Sequence, residues 1–222
     1  MRYHKILSLI AIAMIALGCF GNEPTGSRKP LPSDNKTEVE IGLFCQNQDS
    51  ICRMARLVQA DSFAQLLFYD VHLTPNGDWQ RFISKRKVPN SELAATKSEL
   101  KNRFNFMEHP SGMQVLFVQI QLGKIDDLDA IDKRQEVEIA IGKALEQDGF
   151  GSWIAGDLGP GGANMLFSVV DYNAALPVII DKLKAFKLDK SVLIGRRFNL
   201  TDGDWIYLVV YPNSYSGPFN TL

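Results

Sequence analysis

Consecutive glycine amides can close on an anion, and Gly156-Asp157-Leu158-Gly159-Pro160-Gly161-Gly162 offers several of them. A phosphate cradle needs such a run to enter a helix, through Gly-Lys-Ser/Thr or a Gly-x-Gly-x-x-Gly spacing. Here the segment leads into Met165 to Val170, which has the composition of a strand, so the glycines read as a hairpin turn. Asp126, Asp127, Asp129 and Asp132 suggest calcium. Counted from Asp127, an EF-hand loop would put Ile131 and Asp132 where an oxygen ligand and a glycine belong, so the cluster reads as a solvated helix entry.

Histidine is scarce. Beyond His4 the chain has only His72 and His109, without the close His or Cys spacing of a zinc site, and no cofactor or metal is expected. Gly151-Ser152-Trp153 lacks the Gly-x-Ser-x-Gly pattern of a nucleophile elbow. A hydrolase would have to assemble dispersed residues such as Asp70, His72 or Ser152. Lys85-Arg86-Lys87 and Arg196-Arg197 are basic patches suited to anionic headgroups or an acidic partner. Strand alternation scatters such charges over opposite faces, so they are expected as solvated edges. Tyr207, Tyr211, Tyr215 and Phe219 either pack back on the domain or form a binding surface.

The elements that must position these residues are clearest in the second half. Gln114 to Leu122 alternates, with Leu116, Val118, Ile120 and Leu122 on one side, as a half-buried strand does. Val137, Ala140, Ile141, Ala144 and Leu145 then fall at helical spacing, ending at Gly149. Trp153–Leu158 and Met165–Val170 form a hairpin, Asp171 caps a helix with the stripe Leu176, Ile179, Ile180 and Leu183, and Ser191–Arg197 is a further strand. This order resembles a ferredoxin-like α+β sandwich (βαββαβ), with an extra terminal strand at Trp205–Tyr211.

The first half hints at the same order. Glu38–Phe44 is expected as a strand, Ser50–Gln59 as a short helix, and Ala64–Thr74 with Asp78–Val88 as a hairpin. Ser91–Phe104 reads as a helix capped by Ser91, with Leu93, Leu100 and Phe104 inward. Were the strand at 114–122 shared, both halves would form one continuous sheet.

The N-terminus carries an address. Arg2 and Lys5 precede an apolar run from Ile6 to Leu17, and Ala16-Leu17-Gly18-Cys19 closes it. This resembles a bacterial lipoprotein signal. The resemblance implies cleavage after Gly18, lipid attachment to Cys19, and, with Phe20 rather than Asp next, the outer membrane. An ordinary secretory signal or an uncleaved anchor would export the chain equally. Phe20 to Thr37 is rich in Gly, Pro, Ser and Asn and reads as a tether, with a span of roughly 20 to 25 Å. The expected organisation is a signal peptide at 1–18, lipidated Cys19 and tether at 19–37, an N-terminal α+β region at 38–112, and the ferredoxin-like domain at 113–222.

With Cys19 lipidated, Cys45 and Cys52 remain, an even count in a compartment that tolerates disulfides. A bond between them would close an eight-residue loop and stabilise by roughly 2 to 3 kcal/mol. Two free thiols, or a redox or metal pair, are the alternatives, although the spacing differs from Cys-x-x-Cys.

At 45% hydrophobic and 22% charged, the chain has the make-up of a globular protein, not a disordered one. Its formal charge of -1 implies no nucleic-acid partner. The expected function is a non-enzymatic, lipid-anchored cell-envelope protein that meets the membrane through its lipid and binds a protein partner or a ligand. An inhibitor or immunity-type protein, or an envelope hydrolase, are the alternatives.

Overall fold

The computed structural model describes residues 39–48, 51–74, 77–109, 113–121, 127–159, 161–200 and 203–219. Cys19, the signal segment, the tether, Leu122, Asp126 and Pro160 lie outside them. The described residues fall in one α+β unit with two antiparallel sheets.

The first sheet is a meander. β1 (Val39–Gln48), β2 (Ile51–Gln59), β3 (Phe63–Thr74) and β4 (Gly77–Pro89) pair in chain order. Helix α1 (Leu93–Asn102) follows, and β5 (Met107–Glu108) then pairs with the outer side of β1 at Phe44 and Cys45. Of the segment expected as a helix, Ser50–Gln59, the described residues Ile51–Gln59 are therefore β2. Cys52, Met54 and Val58 face the main core, while Ala55 and Leu57 face a second cluster with Leu93 and Leu100 of α1. A strand covered on both faces reads as a continuous apolar run, which carries no period of two to set against a helix. Ser91 does not cap α1: the cap position is Glu92, without a side-chain hydrogen bond, and Phe104 stands exposed past the helix end.

The second sheet contains β6 (Gln114–Ile120), β7 (Gly151–Gly159), β8 (Gly162–Val169), β9 (Val192–Asn199) and β10 (Trp205–Tyr211), in the order β10-β9-β6-β8-β7. Helix α2 (Asp127–Gln147) joins β6 to β7, and α3 (Tyr172–Ala185) joins β8 to β9. Strand β6 belongs to this sheet alone, so the two halves do not share it. The chain instead returns at β11 (Gly217–Phe219), which pairs with β4 and makes the first sheet six-stranded.

Local signals account for the second half. Asp171 Oδ1 accepts from the N–H groups of Asn173 and Ala174, opening α3, and Gly149 takes a φ of 70° just beyond α2. Leu116, Val118 and Ile120 of β6 join Val137, Ile141 and Leu145 of α2, and Ile179 and Leu183 of α3, in the main core. That same cluster takes in Met54, Leu67, Tyr69 and Val71 from the first sheet. Phe219 is fully buried against Phe117 and Tyr207, with ring centroids at 5.2 and 6.0 Å, so the aromatic ending packs back on the fold. Among the described residues, no helix is long and apolar enough to cross a membrane.

Candidate functional site

Three charged side chains sit deep between the sheets. Arg56 of β2 is 1% exposed and Arg196 of β9 is 5% exposed, with Glu40 of β1 between them. Arg56 Nε donates to Glu40 Oε2 at 2.7 Å, and Arg196 Nη1 contacts Glu40 Oε1. The remainder of the Arg56 guanidinium is well used: Nη1 donates to Asn213 Oδ1 at 2.5 Å and Nη2 to the Tyr172 hydroxyl at 3.0 Å. Arg196 instead lies over the Tyr172 ring, 4.5 Å from its centroid, and its buried Nε has no hydrogen-bond partner among the described residues. Burial pushes the Arg196 pKa down to about 10, which leaves it charged at neutral pH. Two cations thus share one carboxylate.

Glu40 reaches this position through a backbone irregularity. Register in β1 shifts between Glu40 and Gly42, so Glu40 lies opposite Val58 on the face that holds Leu43, Cys45 and Arg56. Its main chain is held from the other side. The Glu40 N–H donates to Asn173 Oδ1 at 2.7 Å, and Asn173 Nδ2 donates to Glu40 O at 2.9 Å. Asn173 can do this because it stands in the first turn of α3, set by the Asp171 cap.

These groups wall a cleft of about 570 Å³. The outer edge of β1 from Glu40 to Leu43 forms one side, the start of α3 from Val170 to Asn173 another, and Glu108, His109, Gln114 and Arg196 complete it. The edge of β1 is stopped at both ends, since the His109 N–H donates to Leu43 O at 2.7 Å and Asn173 occupies Glu40. A polypeptide therefore cannot add here as a long strand, whereas the volume suits a metabolite-sized molecule. Gln114 Oε1 is a second buried polar atom without a partner among the described residues.

The residues singled out by sequence are dispersed. Cys45 and Cys52 form a disulfide across the β1–β2 hairpin, both fully buried. Asp70 pairs with Arg53 at 3.0 Å, His72 meets the Trp79 ring edge-on, and Ser152 lies exposed on β7 in the other sheet. No hydrogen bond joins Asp70, His72 and Ser152 among the described residues. Of the residues singled out, His109 and Arg196 line the cleft, His109 with Nε2 3.1 Å from Arg197 O. The glycine run is the β7–β8 turn, pairing Gly159 with Gly162. Lys85, Arg86 and Lys87 are exposed. The Arg196–Arg197 patch does not form a solvated edge: Arg197 stacks on Trp205 at 4.0 Å, while Arg196 points into the core. Among the described residues, no group of three or more His, Cys, Asp or Glu side chains gathers to hold a metal.

The sequence does not mark Glu40 or Arg56, and marks Arg196 only as half of a basic patch. The signal for two of them is an arginine at an inward step of a strand, in Cys52-x-Met54-x-Arg56-x-Val58 and in Val192-x-Ile194-x-Arg196-x-Phe198. Comparison of the chain with family models, curated proteins and solved structures finds no match.

Proposed function

We infer that this protein is a non-enzymatic ligand-binding module of the bacterial cell envelope, anchored through a lipid on Cys19. The observation that carries the binding function is the cleft beside β1, polar and set between two sheets and a helix start. Its charged groups serve as fixed recognition elements: Glu40 is held by two arginines and is a poor candidate for a general base. The anchor rests on the apolar run ending at Gly18-Cys19. The buried disulfide suits an exported protein.

The second half is, in this reading, a ferredoxin-like unit. Strand order β9-β6-β8-β7 with α2 and α3 as crossovers supports it, and β10 adds to the β9 edge. The first sheet then serves as a companion layer that supplies Glu40 and Arg56.

Ligand-observed NMR against a library of amino acids, organic acids, sugars and nucleosides tests the binding function. Binding to the wild type that is lost in Val170→Trp, a change at an exposed position of the cleft wall, supports it. Binding that survives this change at full strength places the ligand elsewhere and refutes the cleft. Labelled fatty acid should enter the wild type and not Cys19→Ala, and equal labelling would refute the anchor.

A further inference from the structure

We propose that the cleft recognises a small monocarboxylate bearing a hydrogen-bond donor beside its carboxyl group, an α-amino or α-hydroxy acid, through Arg196 and Gln114. This rests on the reading of the cleft as a ligand site.

Arg56 and Arg196 both contact Glu40, so Arg196 shares its carboxylate with a second buried cation. Arg56 spends its donors on Glu40, Asn213 and Tyr172. Arg196 spends one nitrogen on Glu40 and keeps a buried Nε that donates to nothing among the described residues. A guanidinium with a spare edge is the natural partner of a carboxylate, which accepts two parallel hydrogen bonds from it. The acidic part of the lining favours a monoanion. Two further carboxylates line the cleft: Glu108, paired with Lys101, and Asp171, which caps α3. A dianion such as phosphate would bring a second negative charge against these carboxylates.

Gln114 fixes the second feature. Leu116 pairs with Arg196 across β6 and β9, so Gln114, two residues earlier, is the diagonal neighbour of Arg196 on the same face. Diagonal Cα atoms in a sheet are roughly 7 to 8 Å apart, a distance that two side chains and one small molecule can span. Gln114 Oε1 is a buried acceptor without a donor among the described residues. A hydroxyl or ammonium group adjacent to the carboxylate would supply it, and Glu108 and Asp171 add a field that favours an ammonium.

The test uses calorimetry and the Arg196 Nε–H resonance of nitrogen-labelled protein, with L-alanine, L-lactate, acetate, lactamide and inorganic phosphate as probes. L-alanine or L-lactate should bind and shift that resonance. Lactamide, without the charge, and acetate, without the donor, should each bind at least about tenfold more weakly. Arg196→Met should abolish binding of the acids, and Gln114→Leu, a milder change at the cleft wall, should bring L-lactate down to the acetate level. Equal binding of lactate and lactamide overturns the charge assignment, and tighter binding of phosphate overturns the monoanion. If neutral library compounds bind and are lost in Val170→Trp while no acid binds, the cleft stands and this assignment falls. If nothing binds, both fall.

Discussion

Gln80 takes both main-chain groups of Val209: its Oε1 accepts from Val209 N at 2.7 Å and its Nε2 donates to Val209 O at 3.2 Å. The side chain acts as a one-residue strand that joins β4 of the first sheet to the outer edge of β10 in the second. Edge strands must satisfy these groups or leave them to water, and water is excluded at Gln80, which is 1% exposed. Gln80→Leu would preserve volume and strand two buried backbone groups. It should cost about 2 to 4 kcal/mol in urea melts. A loss of only a few tenths would show that the sheets are held by apolar packing alone.

The buried charges make a sharper prediction, because the three members of the cluster are not equivalent. Glu40→Gln leaves two buried cations without their shared anion, and should cost about 3 to 5 kcal/mol. Arg196→Met keeps the Arg56–Glu40 pair at 2.7 Å and fills the volume of the stem, so it should cost within about 1 kcal/mol. The difference between wild type and Arg196→Met should be flat from about pH 6 to pH 9, because the native guanidinium keeps its proton up to about pH 10. Above that the unfolded chain binds more protons than the native one, so the wild type should gain on the variant. Equal losses for the two substitutions would mean that Arg196 is a structural member of the cluster.

The disulfide closes the hairpin that carries both Glu40 and Arg56. Cys45→Ser should cost about 2 to 3 kcal/mol on the loop-entropy argument, and non-reducing mass spectrometry of the native protein should show the Cys45 and Cys52 peptides joined. Because Glu40 sits five residues from Cys45 on the same strand, ligand affinity should fall along with stability. A variant as stable as the wild type would show that β1 and β2 hold their register unaided.

How much of this was legible follows from which residues announce themselves. Asp171 and Gly149 are local devices whose chemistry is complete within a few residues, and they stand where the sequence puts them. Leu116, Val118 and Ile120 of β6 share the core face as their alternation sets, but the strand is not half-buried, because Phe117 and Gln119 are covered on its other face. Glu40 is different. Simple alternation along β1 sets it on the same side as Phe44, and only the shift between Glu40 and Gly42 turns it to the side of Arg56. A bulge of this kind is decided by the partner strand and by Asn173, 133 residues away, so no window of β1 reveals it. Arg56 was hidden for another reason: within a segment read as a helix, an inward step of a strand has no meaning. Arg196 was visible as half of a pair, but whether its face is core or solvent depends on α3 covering it.

Helix α3 gives the last test, where Ile180 of the expected stripe sits at the margin and Tyr172 and Ala175 extend the buried face instead. Ile179 and Leu183 are fully buried, four apart on one face, while Ile180 is only partly buried at the margin of the core. Ile179→Ala and Leu183→Ala should each cost about 2 to 5 kcal/mol, since each removes transfer energy and leaves a cavity. Ile180→Ala removes the same atoms from a site that solvent can partly refill, and should cost about 1 to 2 kcal/mol. Lys184, exposed and paired with Asp181 three residues back, should tolerate Ala within about 0.5 kcal/mol. The ordering carries the argument: if Ile180 proves as sensitive as Ile179, the helix is rotated about its axis. Tyr172 and Asn173 would then not meet Arg196 and Glu40 as described, and the cleft would lose one of its walls.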